Sequence, residues 1–238
     1  MSAVEGRLEK IDSRSTEIIK PRVNLNLKET EYDNVIFICP SWEQMGEFTS
    51  VLGKKINSSA RSFDRMVVLA KGGLTWSRAL ADFIKVDKIS TTRFKAYHGV
   101  NQSDEPQIIQ PLTDSVVGED LLLFDEVIDS GATIKKALKY LKIMGANSVK
   151  TAALCYKPRS IDKPDHLRPN YYAFKTNAWV CFPHETRETI EDLTLKWEEK
   201  GIPNDEIKQR LIEIGLPRNE VDDYSIPKLN QVVDLFVI

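Results

Sequence analysis

Residues Leu121 to Thr133 read LLLFDEVIDSGAT and concentrate the chain's chemistry in one short segment. Four apolar residues lead into two acids, Asp125 and Glu126. Two further apolar residues precede a third acid, Asp129, and Ser130-Gly131-Ala132-Thr133 then open a helical run. An apolar run of this kind fits a strand buried on both faces of a parallel sheet, and α/β proteins bind ligands at the carboxyl ends of such strands. The small residues after Asp129 can turn tightly and aim backbone N–H groups and two hydroxyls at a phosphate. Carboxylates beside a phosphate cradle make chemical sense where a ribose or a divalent cation shares the site. On these residues alone, kinase-like, synthetase-like and transferase chemistry all stay open. The P-loop pattern Gly-x-x-x-x-Gly-Lys-Ser/Thr occurs nowhere in the chain.

Two further groups carry chemistry. Lys71-Gly72-Gly73 ends the apolar run MVVLA at 66–70; glycines admit close approach of an anion to backbone, and the lysine brings charge. Lys157, before Pro158, and Trp179 can bind a flat heterocycle, the ring stacking on the indole while the ammonium donates to an exocyclic oxygen.

The elements that must position these residues follow from periodicity. Val35–Cys39 is an apolar strand stopped by Pro40. Ser41 and Gln44 have capping-box spacing for a helix through Met45, Phe48 and Val51 to Ile56. After the 66–70 strand a helix carries Ala79, Leu80, Phe83 and Ile84, and 88–98 is strand-like. A helix near 134–143, closed by Gly145, and a strand at 148–155 follow LLLFDEVIDSGAT. Tyr171 to Phe182 is aromatic and strand-like, and the chain beyond Glu185 is helical, broken at Gly201-Ile202-Pro203 and Gly215-Leu216-Pro217. Alternating strands and helices predict right-handed crossovers and a mainly parallel sheet.

Composition narrows the partners. With 238 residues, 33 basic against 35 acidic side chains and a net charge of −2, the chain has no basic field for nucleic acid. Its three scattered cysteines, Cys39, Cys155 and Cys181, fit reduced thiols rather than a disulfide framework. No apolar run reaches membrane-span length, the N-terminus has no secretory pattern, and a cytoplasmic location is expected.

Taken together, the motif at 125–133, Lys71-Gly72-Gly73, and the Lys157-Pro158 and Trp179–Glu185 segments resemble a 6-oxopurine (hypoxanthine, guanine or xanthine) phosphoribosyltransferase of type I, over about 35–185. The resemblance implies an α/β type I phosphoribosyltransferase fold, a mainly parallel sheet flanked by helices with a small hood. Its parts would be an N-terminal arm at 1–33, a core at 34–186 with hood elements at 157–186, and a helical extension at 187–238. It implies that Asp125 and Glu126 hold the ribose and metal of 5-phosphoribosyl-1-pyrophosphate, that Asp129, Ser130, Gly131, Ala132 and Thr133 hold the 5′-phosphate, and that Lys71, Gly72 and Gly73 hold pyrophosphate, with a cis peptide at Lys71–Gly72. Lys157 would contact O6 of the purine, Trp179 would stack on it, the backbone of Val180 would read its edge and Glu185 would help hold Mg2+. Asp129 would also act as the base facing N7. The family often has tryptophan at the position of His184, so this wall of the pocket differs. The stretch 99–118 falls where the family carries a flexible lid. Substrates would be a purine base and 5-phosphoribosyl-1-pyrophosphate, with neither nucleic acid nor membrane as partner. The apolar faces of the tail helices need cover, either on the core or across a second copy, and a homodimer or higher oligomer is expected. The competing reading is a non-catalytic regulator of the same fold that senses 5-phosphoribosyl-1-pyrophosphate.

Overall fold

The computed structural model describes residues 27–95, 106–158 and 167–225. Its main sheet has six strands, in spatial order β5-β4-β3-β6-β7-β8: β3 (Arg65–Ala70), β4 (Ile89–Lys95), β5 (Gln107–Gln110), β6 (Asp120–Ile128), β7 (Ser148–Tyr156) and β8 (Tyr171–Lys175). All neighbours pair in parallel except β4 and β5, which run antiparallel at one edge. Helices α1 (Trp42–Asn57), α2 (Leu74–Ile84) and α3 (Ala132–Ile143) cover the faces, and α4 (Thr186–Glu198), α5 (Asn204–Glu213) and α6 (Arg218–Tyr224) follow the last strand.

The apolar runs become central strands because consecutive side chains point to opposite faces and both faces are covered. On one face Met66, Val68, Leu122, Phe124, Ala152 and Leu154 pack against Met45, Phe48, Leu52 and Ile56 of α1 and Leu80 of α2. On the other, Val67, Leu69, Leu121, Leu123 and Ala153 pack against Ile134, Ala137 and Leu141 of α3. Burial of each such leucine or valine contributes about 1.5–3 kcal/mol. Helix α1 starts at the predicted capping box: the Gln44 N–H donates to the Ser41 hydroxyl at 3.2 Å, and the Ser41 N–H donates to the Gln44 side chain at 2.8 Å.

Three sequence expectations change. Val35–Cys39 does form a strand, β2 (Val35–Ile38), but it stands outside the main sheet. It pairs antiparallel with β1 (Thr30–Tyr32) and parallel with β9 (Trp179–Val180) in a separate three-stranded sheet. Tyr171–Phe182 is two strands: β8 finishes in the main sheet, the chain crosses at 176–178, and β9 joins the small one. The polar stretch 99–118 holds β5, whose residues pair with β4 although its side chains are exposed; backbone pairing at an edge needs no apolar periodicity. Positions 99–105 of the expected lid lie outside the described residues.

The tail helices bury their apolar faces on their own chain. Ile190, Leu193, Trp197, Ile207, Leu211, Ile214 and Val221 pack with Phe37 and Cys181 of the small sheet, so those faces do not call for a second copy. Helix α5 is tied to β1 by Lys28 and Thr30, which donate to the Glu213 carbonyl at 2.9 and 3.2 Å, and by the Tyr32 hydroxyl on the Glu213 carboxylate. Because β3, β6 and β7 are parallel, the turns leaving Ala70, Ile128 and Tyr156 gather at one end of the sheet, and the β2–β9 pairing sets Trp179 beside them.

Candidate active site

The floor is the carboxyl end of β6. The N–H of Glu126 donates to the Asp125 carboxylate at 2.9 Å. Burial first, then the neighbouring Glu126 charge, hold the Asp125 pKa well above the usual carboxylate range. Glu126 points inward and is buried. Its Oε2 stands 2.8 Å from Nε2 of His184, yet the two are not aligned as a hydrogen bond, and neither ring nitrogen of His184 has an aligned partner. Glu185 completes a cluster with Glu126 and His184 in which one ligand atom from each lies within 4.8 Å of the others. Burial and then the charge of Glu126 raise the Glu185 pKa. The ring of His184 is walled by Phe182, Trp76 and Trp42, with centroids 5.6, 6.2 and 6.4 Å away.

The turn between β3 and α2 packs against this floor. A Cβ on Gly72 would stand 2.9 Å from Cδ of Glu126, and one on Gly73 would stand 2.9 Å from Val68 Cγ1 and 3.0 Å from the Leu69 carbonyl oxygen. Gly73 is thus packed against backbone, and a side chain at Gly72 would displace the Glu126 carboxylate. The Gly73 N–H donates to the Leu69 carbonyl and the Leu74 N–H to the Lys71 carbonyl, each at 3.0 Å. The cis peptide lies at Ala70–Lys71, one bond before the expected Lys71–Gly72. Lys71 is exposed, with its ammonium 4.0 Å from Glu188 of α4.

After β6 the chain passes through Asp129 and Ser130 to Gly131, which caps α3 with φ +83°. A side chain on Gly131 would stand 2.7 Å from Cβ of Leu167. The Ala132 N–H reaches the Ser130 hydroxyl at 3.4 Å, and Thr133 lies in the first turn of α3. Residues 130–133 thus form the loop-to-helix start that can receive an anion.

Opposite the floor, Lys157 follows β7, its N–H donating to the Ile128 carbonyl at 2.9 Å. Its side chain is buried, and the ammonium lies 5.5 Å from the centroid of the Trp179 ring. Both line a cavity of about 310 Å³, together with Glu126, Asp129, Val180 and Glu185, Val127, Phe182 and four residues of α4. Six of the predicted site residues thus share one cavity. Asp125, within β6, Ser130–Thr133, at the start of α3, and Lys71–Gly73, in the turn after β3, lie outside its lining. The α4 residues Glu188, Thr189, Asp192 and Leu193 escaped the sequence reading, as did the apposition of His184 to Glu126. The available signal was adjacency: a helix that begins at Thr186 has no room to leave the site of Glu185.

Residues 47–184, more than half of the chain, match the phosphoribosyl transferase domain. The chain is similar to the "Bifunctional protein TilS/HprT" of Listeria innocua, 25% identical over 61% of this chain and 23% of that protein; it spans about a quarter of that relative's length. It is 29% identical to the hypoxanthine-guanine phosphoribosyltransferase of Streptococcus agalactiae, over 46% of this chain and 63% of the relative. Among solved structures it resembles the purine phosphoribosyltransferase of Pyrococcus horikoshii at 25% identity and a TM-score of 0.54, covering 62% of this chain and 92% of that one. The chain belongs to the phosphoribosyl transferase domain family.

Proposed function

We propose that the protein transfers the 5-phosphoribosyl group of 5-phosphoribosyl-1-pyrophosphate to a 6-oxopurine, releasing pyrophosphate and a nucleoside 5′-monophosphate. The observation that carries this reading is the single cavity joining Asp129 and Glu126 to Lys157 and Trp179. A sugar-phosphate end and a heterocycle end face one another across a volume that a purine can enter.

The chemistry follows from charge. Cleavage at C1 of the ribose builds positive charge on the sugar, as in glycoside cleavage. Asp125 and Glu126 bind the ribose hydroxyls, and the Asp129–Thr133 loop anchors the 5′-phosphate, so that remote binding energy orients the reacting carbon. Lys71, Gly72 and Gly73 receive the departing pyrophosphate. Trp179 stacks on the base, Lys157 donates to its O6, and the backbone of Val180 meets the ring edge. Asp129 accepts the purine proton from N7 as N9 attacks. Phe182 and Leu193 in the cavity wall help exclude water, which would otherwise capture the ribosyl cation. Mg2+ is the implied cofactor, and the hard carboxylates of Glu126 and Glu185 fit it; when bound it neutralises the leaving pyrophosphate.

Lysine supports a carbonyl-bearing base over adenine, because an ammonium donates and cannot accept from an amino group. Three free cysteines support a reducing, cytoplasmic setting, and no helix among the described residues is long and apolar enough to cross a membrane. We place the protein there, with neither nucleic acid nor membrane as partner. Pyrophosphate release, measured with 5-phosphoribosyl-1-pyrophosphate and hypoxanthine, guanine, xanthine or adenine in turn, tests the proposal. Turnover with a 6-oxopurine and not adenine is expected; turnover with adenine alone would overturn the assignment.

A further inference from the structure

The contact between Glu126 and His184 is too close for indifference and too poorly aligned for a hydrogen bond. Glu126 Oε2 and His184 Nε2 stand 2.8 Å apart, with side chains only 7% and 12% exposed. Yet that carboxylate oxygen and both ring nitrogens lack an aligned hydrogen-bond partner. Buried polar atoms without partners are uncommon, and each calls for an explanation. Two ligands at right angles around an ion at about 2.1 Å stand about 3 Å apart, close to the separation observed. Glu185 supplies a third ligand atom within 4.8 Å of the other two.

We propose that Glu126, His184 and Glu185 form a nitrogen–oxygen metal site of the chain's own. It would take a first-row transition ion such as Co2+ in preference to Mg2+, with no substrate present. The ligand set argues for the preference: an all-carboxylate cluster suits Mg2+ and Mn2+, whereas an imidazole suits later first-row ions, for which affinity rises from Mn2+ through Co2+ to Ni2+. The surroundings also suit an ion. Phe182, Trp76 and Trp42 enclose the imidazole, and such an apolar shell limits solvent access to a bound metal. The inference deepens the proposed function, since Glu126 and Glu185 belong to the same pocket, and it gives that pocket a resident ion rather than one that arrives only with phosphates.

The two nearby tryptophans provide a readout independent of turnover. The full chain, freed of metal and without substrates, is titrated with CoCl2 while tryptophan emission is followed, and again in excess MgCl2. A saturable quench that survives a tenfold excess of Mg2+ is expected. His184→Gln is expected to raise the Co2+ Kd by at least about tenfold, with far-UV circular dichroism confirming the fold. Glu185→Gln, at the mouth of the cluster, is expected to weaken binding as well, and decides the matter should His184→Gln not fold. An unsaturable response, displacement of Co2+ by equimolar Mg2+, or unchanged Co2+ affinity in the folded variants would overturn the site. A protein that binds Co2+ but releases no pyrophosphate would sink the transferase reading and leave this one standing. A transferase indifferent to Co2+ would do the reverse.

Discussion

The buried ammonium of Lys157 lies 5.5 Å from the centroid of the Trp179 ring, and Trp179 is 52% exposed. One residue is held and the other is open. The lysine is committed in position by the end of β7, whereas the half-exposed tryptophan lines the cavity that a flat ring can enter.

Lys157→Ala should therefore weaken a 6-oxopurine far more than it slows the chemistry. A lost hydrogen bond to a charged donor costs about 1.5–3 kcal/mol, an increase in KM for hypoxanthine of roughly 10- to 150-fold with kcat little changed. Trp179→Ala should cost about 1–3 kcal/mol of stacking for any base. Steady-state kinetics with base as the varied substrate check both. Unchanged KM in Lys157→Ala would assign recognition of O6 to another residue.

Asp129 lies in the cavity wall, at the junction of the sugar-phosphate and base ends. Asp129→Asn keeps the shape and removes the base, so kcat should fall by about 10²–10⁴-fold while the thermal midpoint stays near that of the parent. Near-normal turnover would remove Asp129 from proton transfer.

Gly131 has φ +83° and no room for a Cβ beside Leu167. Gly131→Ala should cost at least about 1 kcal/mol through the left-handed backbone alone, a fall of roughly 2–4 °C in Tm for a chain of this size. It should also weaken 5-phosphoribosyl-1-pyrophosphate, because the same turn starts α3. Differential scanning calorimetry and a substrate titration read the two effects, and an unchanged Tm would contradict the fit described.

Much of this was legible because the signals are local. Ser41 and Gln44 announce α1 by their spacing. The segment 121–133 declares its strand, acids and turn in order, since a doubly buried strand must be apolar and a phosphate loop must be small. What was not legible depends on pairing between distant segments. Val35–Ile38 looks like any sheet strand, and only its partner Trp179–Val180 puts it in a separate sheet. Thr189 and Asp192 face the cavity only because α4 folds back over it, and His184 meets Glu126 across 58 positions of sequence, a distance periodicity cannot span.

At the far end of the sheet, Arg65 holds Glu119 with bonds of 2.7 and 3.2 Å, and Lys88 adds a third at 3.0 Å. The Arg65 bond, followed in strength by that from Lys88, lowers the Glu119 pKa from 4.5 to about 2 despite its partial burial. A depressed folded pKa means that the stabilisation is present above the ordinary value and is lost as pH falls from about 4.5 towards about 2. Arg65→Gln should thus destabilise the protein by about 1–2 kcal/mol at pH 7, and the gap to the parent should narrow through that acid window. Melting curves across pH measure it; a gap independent of pH would contradict the assignment. Turnover at 25 °C should be unaffected, because the brace stands at the opposite end of β3 and β6 from the cavity.

The most direct test of the central claim is chromatographic detection of nucleoside 5′-monophosphate formed from 5-phosphoribosyl-1-pyrophosphate and hypoxanthine, guanine or xanthine, with Asp129→Asn run beside the parent. The result expected is monophosphate stoichiometric with released pyrophosphate in the parent, and a rate at least about 100-fold lower in the variant. Tight binding of 5-phosphoribosyl-1-pyrophosphate with no monophosphate from any of these bases would contradict it, and would be the behaviour of a sensor built on the same fold.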